Sequence, residues 1–250
     1  MSTFWLHGAG GRMGRAIQDV AAEEAGLALE PLDLRVQRPD SAGAVQAIID
    51  FSLPAGLVEV AEFSARHRLP LISGTTGGGA ALEKALDAAA EVVPVLHATN
   101  FSVGLAAMRQ AAALLASRLD WDCELVEAHH RGKRDAPSGT ALTLIETVNL
   151  ARDLPNTWVD RLAGIGAAAA RQPGSIGVAS LRGGSVVGDH ALHWFGHAER
   201  VSLTHHAEDR HIFARGAVLA ARKLIVLPPG RYGLDEVLWP PAGSAPPTAD

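Results

Sequence analysis

Cysteine is almost absent from this chain: Cys123 is the only one in 250 residues. That excludes a disulfide framework and a thiolate-built zinc site, and it fits a reducing cytoplasm. Basic charge is not in excess either, with 22 Lys and Arg against 27 Asp and Glu and a formal net charge of −5. Without a basic tail, nucleic acid and anionic membrane surfaces are poor partners. No apolar run reaches the roughly 18–20 residues of a membrane span. The start MSTFWLHGAGGRMG lacks a basic segment followed by an apolar stretch and a small-residue cleavage site, so no secretory signal is expected. Despite 11 histidines there is no HExxH or CxxC spacing, and no metal is expected. There is no GxSxG element to mark a nucleophilic serine, and no internal repeat. What the chain does have is core material. Hydrophobic residues make up 48%, which rules out disorder throughout and suits one large domain or two small ones.

The first half alternates short apolar runs with Ala-rich helical stretches. Strands are expected over Thr3–His7, Leu27–Val36 (interrupted by Pro31), Ala47–Phe51, Leu69–Ser73 and Val92–Leu96. Helices are expected over Arg12–Ala25, Ala55–His67 and Ala80–Ala90. Such alternation argues for βαβ units and a doubly wound parallel sheet of the Rossmann type. The second half changes character. Helices are expected over Val103–Arg118, with Ser102 placed to cap it, over Ser138–Arg152 and over Phe213–Val226. Leu125–Ala128, Ile176–Leu181, Ser185–Phe195 and Arg200–His205 read as strands, two of them joined directly across Gly183-Gly184. Asn156–Pro173 reads as irregular. Successive strands without helices indicate an α+β domain with an antiparallel or mixed sheet. The tail 240–250, with four prolines, is expected to be mobile.

The first strand runs straight into Gly8-Ala9-Gly10-Gly11-Arg12-Met13-Gly14 and then a helix. Glycines at 8, 11 and 14 permit a tight turn and close backbone approach to a pyrophosphate, which would rest on free N–H groups at the helix start. Arg12 could add a charge-assisted bond to a phosphate. A dinucleotide fold places an acid near the end of its second strand for the ribose hydroxyls. Asp33, 19 positions after Gly14, is the candidate, while Arg35 suits the extra phosphate of NADP. Gly74-Thr75-Thr76-Gly77 and Ala98-Thr99-Asn100-Phe101 each follow an expected strand at its carboxyl end, the ligand edge of open α/β sheets.

The densest chemistry lies in Glu127-Ala128-His129-His130-Arg131-Gly132-Lys133-Arg134-Asp135-Ala136-Pro137-Ser138-Gly139-Thr140. Ser138, Gly139 and Thr140 at a helix start form a cradle for a carboxylate, and His130 and Lys133 add positive charge for a dianionic substrate. A histidine exchanges a proton near neutral pH, as a general acid must. Adjacent histidines on a strand point opposite ways, which argues against a shared metal. His190, His193 and His197 read as satisfied or surface histidines.

Taken together, these segments resemble the 4-hydroxy-tetrahydrodipicolinate reductase (dihydrodipicolinate reductase) family of the diaminopimelate route to lysine. The likeness runs along nearly the whole chain: GAGGRMG at 8–14, IDFSLP at 49–54, GTTG at 74–77, NFSVG at 100–104, EAHHRGKRDAPSGTAL at 127–142, SIGVASLRGGSVVGDH at 175–190 and ERVSLTHHAEDRHIFARGA at 199–217. It implies a dinucleotide-binding domain over 1–101 and 214–250, and a substrate-binding and tetramerisation domain over 102–213. It implies a homotetramer, a small dicarboxylate substrate and NADPH or NADH as cofactor. Gly8, Ala9, Gly10, Gly11, Arg12 and Met13 match the family's cofactor loop. Gly74, Thr75 and Thr76 match its nicotinamide-side loop, as do Ala98, Thr99, Asn100 and Phe101. His129 matches the proposed proton donor/acceptor and Lys133 a second donor. His130, Gly139 and Thr140 match substrate-binding positions, with Ser138 beside them.

Two departures stand out. The stretch between the second strand and AIIDF is short, which leaves room for one edge strand and loop fewer. Counted without gaps, the family's ribose-binding acid falls on Leu34, next to Asp33, while its neighbouring arginine matches Arg35. NADPH is therefore expected to serve at least as well as NADH. Two rivals fit less of the chain. Another NAD(P)-dependent dehydrogenase leaves HHRGKRDAPSGT unexplained, and a cofactor-sensing regulator has no need of His129 and Lys133 together.

Overall fold

A computed structural model describes residues 2–160 and 170–240. The chain divides into two compact units, Met1–Val103 with Arg210–Asp250, and Gly104–Asp209. In chain order the first unit begins with β1 (Ser2–His7), α1 (Arg12–Glu23), β2 (Leu27–Leu32), β3 (Val45–Asp50), α2 (Pro54–His67), β4 (Leu71–Ser73), α3 (Gly79–Ala90) and β5 (Pro94–His97). The second unit holds α4 (Val103–Arg118), β6 (Asp122–His129), α5 (Gly139–Ala151), β7 (Val159–Asp160), β8 (Ile176–Arg182), β9 (Gly188–Phe195) and β10 (Arg200–Ala207). The chain then returns to the first unit with α6 (His211–Leu224), β11 (Gly230–Tyr232) and α7 (Leu234–Leu238). That return comes at Arg210, four residues before the expected 214, because Arg210 is the N-cap of α6 and the whole helix belongs to the first unit.

The first unit carries a six-stranded sheet in the order β11-β5-β4-β3-β1-β2, parallel at every pairing. The apolar strands FWL, AII and LI are buried on both faces, as strands covered by crossover helices must be. Chain direction reverses its march across the sheet between β1 and β3, since β2 lies on one side of β1 and β3 on the other. Ligands of open α/β sheets bind at such a switch point. β2 continues through Pro31, because an edge strand tolerates the missing N–H. It stops at Leu32 rather than running to Val36. The N–H of Arg35 donates to Asp33 Oδ1, and those of Val36 and Gln37 donate to the Asp33 carbonyl, so the chain turns out of the sheet there.

The second unit is a mixed five-stranded sheet in the order β10-β9-β6-β8-β7. Its core joins Leu105, Met108 and Ala112 of α4 and Leu144, Ile145 and Val148 of α5 to Cys123, Leu125, Ile176, Val178, Leu192 and Trp194 of the strands. The burial of β6 and β9 alternates strictly, as it does for a sheet with helices on one face. Gly183-Gly184 does not make a hairpin between neighbours. β6 lies between β8, its parallel partner, and β9, its antiparallel one. The glycine link wraps the end of β6: Gly183 N–H donates to the His129 carbonyl at 3.0 Å and Arg131 N–H to that of Gly184 at 3.3 Å.

β7, inside a stretch read as irregular, and β11 with α7 were not expected from sequence. β7 has 2 residues and β11 has 3, too few to show a period. The tail from 241 onward lies outside the described residues, as does 161–169 of the irregular stretch.

Burial pushes the Cys123 thiol up to about 12. The native protein should therefore leave Ellman's reagent unreacted at pH 8 and release one equivalent of chromophore only after denaturation. One equivalent at mixing speed from the native state would contradict the packing of β6.

Candidate active site

Both units concentrate chemistry at strand carboxyl ends. In the first, His7 ends β1 and Asp50 ends β3, and the two are register partners. Asp50 has no exposed surface. A buried carboxylate is tolerated only when donors fill its oxygens. Here Oδ1 faces His7 Nδ1 at 2.7 Å and accepts from Ser52 Oγ at 2.6 Å, while Oδ2 accepts from Ser73 Oγ at 2.8 Å and Thr75 Oγ1 at 2.7 Å. One carboxylate thus ties together the loops after β1, β3 and β4. Thr75 is internal: its N–H donates to Ser73 Oγ, its carbonyl faces His97 Nε2, and its hydroxyl accepts from Ser52 N–H as well as donating to Asp50. Gly74 N–H donates to the Asp50 carbonyl, and Thr76 is exposed. Asn100 Oδ1 accepts from Ser102 N–H at the start of α4, and the buried Phe101 ring packs on Phe51 at 5.4 Å. Ala98 N–H donates to the Ser73 carbonyl, and Thr99 is exposed.

Above this brace lies a cleft of about 680 Å³ lined by His7, Gly8–Gly11, Pro31–Asp33, Arg35, Phe51–Leu53, Ala55, Gly56 and Glu59. The glycines are there for backbone approach. Gly8 has φ +84°, and a Cβ on it would stand 2.5 Å from the Phe51 carbonyl oxygen. A Cβ on Gly14 would stand 2.3 Å from the Gly8 carbonyl oxygen. Around Gly10 there is open space. The N-cap of α1 is Gly11, which offers no capping side chain, and the first turn holds no acid. The positive helix end is therefore available to an anion, with Arg12 exposed and Met13 half-buried beside it. This cradle fits a dinucleotide pyrophosphate. Asp33 and Arg35 pair through two side-chain bonds of 2.9 and 2.8 Å. The Arg35 guanidinium holds the Asp33 carboxyl down to about 2. Leu34 between them is buried in the core, so the gap-free count puts the family's acid position on a residue that faces away from the cleft.

In the second unit, the alternation of β6 puts Cys123, Leu125, Glu127 and His129 on one face. The first two join the core and the last two form a polar cluster at the strand end. β8 sets Arg182 opposite His129, and β9 sets His190 opposite Glu127. His129 Nδ1 is hydrogen-bonded to Glu127 Oε2, and the His129 and His190 rings meet edge-on at 5.2 Å. Burial pushes the Glu127 carboxyl up, but hydrogen bonds from Arg182, Ser180 and His129 outweigh it and leave it below its ordinary range. Burial, with Lys133 and Arg182 nearby, carries His129 below the ordinary imidazole range against the pull of Glu127.

Ser138 caps α5, its hydroxyl accepting from Ala141 N–H at 3.1 Å and lying 3.0 Å from His190 Nε2. Gly139 opens the helix with open space where a side chain would be, and Thr140 follows; the first turn carries no acid. Lys133 Nζ pairs with Asp135 at 2.8 Å, and the His130 carbonyl accepts from Lys133 N–H. Glu127, His129 and His190 offer ligand atoms within 4.8 Å of one another. Arg182 already occupies both oxygens of Glu127, which suits proton handling rather than a metal cation.

A family model described as dihydrodipicolinate reductase, C-terminus, matches residues 101–238, and one described as its N-terminus matches 35–101. The 4-hydroxy-tetrahydrodipicolinate reductase of Zymomonas mobilis is 41% identical over 244 residues, covering 93% of this chain and 95% of that one. The chain belongs to the dihydrodipicolinate reductase family. The reductase of the same name from Caulobacter vibrioides is 39% identical over 249 residues, with 93% and 95% covered. In fold, the chain is similar to a dipicolinate-bound dihydrodipicolinate reductase from Paenisporosarcina, with TM-score 0.75, 20% identity, and 94% and 99% of the two chains covered. A Corynebacterium glutamicum DAP dehydrogenase in complex with DAP shares the fold at TM-score 0.55 and 12% identity, with 96% of each chain covered.

Asp50, Arg182, Glu127 and His190 join these two clusters without a role assigned from motifs: Glu127 stands in the 127–140 segment with none given, and His190 reads from sequence as a satisfied or surface histidine. The strict alternation of DCELVEAH was the available signal for Glu127, since it sets that acid on the face of His129. For Asp50, Arg182 and His190 the signal is only their place at strand ends, which depends on pairing.

Burial, with His129 beside it, pushes His190 down to about 4, against 6.5 for a free imidazole. Between those values the unfolded chain binds a proton that the folded chain refuses, so stability falls as pH drops from about 6.5 to 4. Denaturant unfolding at pH 7.5 and 4.5 should show His190→Asn losing about 2–3 kcal/mol less than the parent over that interval. Parallel losses in both proteins would remove His190 as a source of acid sensitivity.

Proposed function

We propose that this chain reduces 4-hydroxy-tetrahydrodipicolinate to tetrahydrodipicolinate, with loss of water, using NADPH or NADH. Reductase chemistry in the diaminopimelate route to lysine is that of the family. The observation that carries the site assignment is the cluster at the end of β6, where a buried His129–Glu127 pair stands beside a capped helix start and two further cations.

The first unit holds the dinucleotide. Gly8, Ala9, Gly10, Gly11, Arg12 and Met13 take the pyrophosphate through N–H groups and the helix end. Gly74 and Thr76, with Ala98, Thr99, Asn100 and Phe101, border the nicotinamide, and Thr75 braces that loop from within. When bound, the dinucleotide supplies the hydride. In the second unit, Ser138, Gly139 and Thr140 hold a substrate carboxylate at the positive end of α5, with His130 and Lys133 adding charge. His129 exchanges a proton at Nε2, and Lys133 is the second donor. Asp33 serves the ribose hydroxyls and Arg35 a 2′-phosphate. Their ion pair is exposed, with 83% of the Arg35 and 40% of the Asp33 side chain accessible. Such a pair holds little stability and can open to a ligand. The planar guanidinium has donors enough for a phosphate and a carboxylate at once.

The outer face of the second sheet supports assembly as a homotetramer. It exposes Leu181 and Phe195, and α4 and α5 both cover the other face.

Three measurements check this reading. Substrate made in situ from pyruvate and aspartate semialdehyde should trigger rapid loss of NADPH absorbance, and oxidation without the condensation product would refute it. The kcat/KM for NADPH should at least equal that for NADH, and a more than tenfold preference for NADH would remove Arg35 from phosphate binding. Lys133→Ala should lower kcat by about 10²–10⁴-fold, the usual range for a general acid, and near-parental turnover would take Lys133 out of that role. For assembly, light scattering should give four times the chain mass of 26.1 kDa, and a monomer would overturn it.

A further inference from the structure

Glu127 has no exposed surface, and its carboxylate is turned to Arg182, Ser180 and His129. A buried carboxylate in that position costs several kcal/mol unless it is fully paired. It is fully paired. Oε1 accepts from Arg182 Nη2 at 2.9 Å, Oε2 accepts from Arg182 Nη1 at 3.0 Å and is hydrogen-bonded to His129 Nδ1, and the Ser180 side chain adds a further hydrogen bond. A carboxylate clamped by a guanidinium is ionised and only accepts, so His129 carries its proton on Nδ1 and exchanges at Nε2. Gly188 of β9 lies on the Nε2 side, where a Cβ would come within 3.1 Å of that nitrogen. A glycine there keeps a side chain off it.

Arg182 does more than clamp. Its Nη2 also donates to the Asp135 carbonyl at 2.7 Å, and the Asp135 carboxylate holds Lys133 Nζ at 2.8 Å. One guanidinium therefore braces the β6 histidine and the loop that carries the lysine. The charged and titratable groups around His129 are Glu127 on its own strand, Arg182 on β8, His190 on β9 and Lys133 on the loop.

We propose that Glu127 and Arg182 are positioning residues for the reduction: Glu127 locks His129 as the Nδ1–H tautomer with Nε2 as the proton-exchanging nitrogen, and Arg182 ties the Lys133 loop to the same carboxylate. This rests on the assignment of His129 and Lys133 as the proton-handling groups. Glu127→Gln keeps the shape, but its amide can donate to Nδ1 and so favours the opposite tautomer. Replacing the carboxylate behind a catalytic imidazole costs about 10⁴ in kcat in serine proteases, and a loss of about 10²–10⁴-fold is expected here. Substrate KM and cofactor affinity should change little. Loss of the negative charge destabilises the imidazolium, so the His129 limb of the kcat/KM profile should move to lower pH. Arg182→Lys keeps the charge and loses the bidentate clamp, and should cost about tenfold or more.

The deciding experiment pairs ¹⁵N NMR of the histidine rings in the intact wild-type protein with kinetics of Glu127→Gln and His129→Gln. An Nδ1–H tautomer at His129, with a slow and acid-shifted Glu127→Gln, supports the proposal. An Nε2–H tautomer in the wild type overturns it, and that spectrum decides alone if Glu127→Gln does not fold. If His129→Gln is slow while Glu127→Gln keeps kcat within about twofold, the positioning pair fails and the assignment of His129 stands. If His129→Gln keeps parental kcat, the assignment itself fails.

Discussion

A carboxylate removed from water must have its oxygens filled by donors, and each unit of this chain is organised around one such group. Asp50 gathers His7, Ser52, Ser73 and Thr75; Glu127 gathers Arg182 and His129. Removing one partner of a buried ion pair typically costs about 3–5 kcal/mol, because a charge is then left without compensation. The loops that supply the donors are therefore held to a definite geometry. They are also the loops at the carboxyl ends of the strands, where an open sheet receives its ligands.

The two units reach this arrangement through different sheets. In the first, all pairings are parallel, so every strand delivers its carboxyl end to the same edge. The reversal between β1 and β3 places the glycine loop beside the Phe51 turn. In the second, β6 runs parallel to β8 and antiparallel to β9. The end of β6 consequently meets the end of β8 and the beginning of β9. Arg182 and His190 converge on Glu127 and His129 from opposite sides only because the pairing is mixed. The Gly183-Gly184 link, hydrogen-bonded to the end of β6, closes the cluster.

Charge placement separates binding from stability. The exposed Asp33–Arg35 pair sits in a cleft and contributes little to folding, as surface pairs do. The Glu127–Arg182 pair is buried on the acid side and fixes an imidazole. The start of α1 and the start of α5 share the same feature, a helix N-terminus with no acid in its first turn.

Much was legible in the sequence. Apolar runs alternating with helical periods gave the parallel half. Strands following one another without helices gave the mixed half, and the 127–142 segment named the chemistry. Those signals are local: burial periodicity, glycine placement, a cap and a dense polar motif each act within a few residues. What the sequence left open depends on contacts across 23 to 55 residues, as between Asp50 and Ser73 or Glu127 and Arg182. β7 and β11 are strands only because a neighbour pairs with them. Which strand lies beside β6, and so which distant arginine and histidine stand beside His129, is set by sheet order. No spacing along the chain encodes that order, since strand pairing joins residues far apart in sequence.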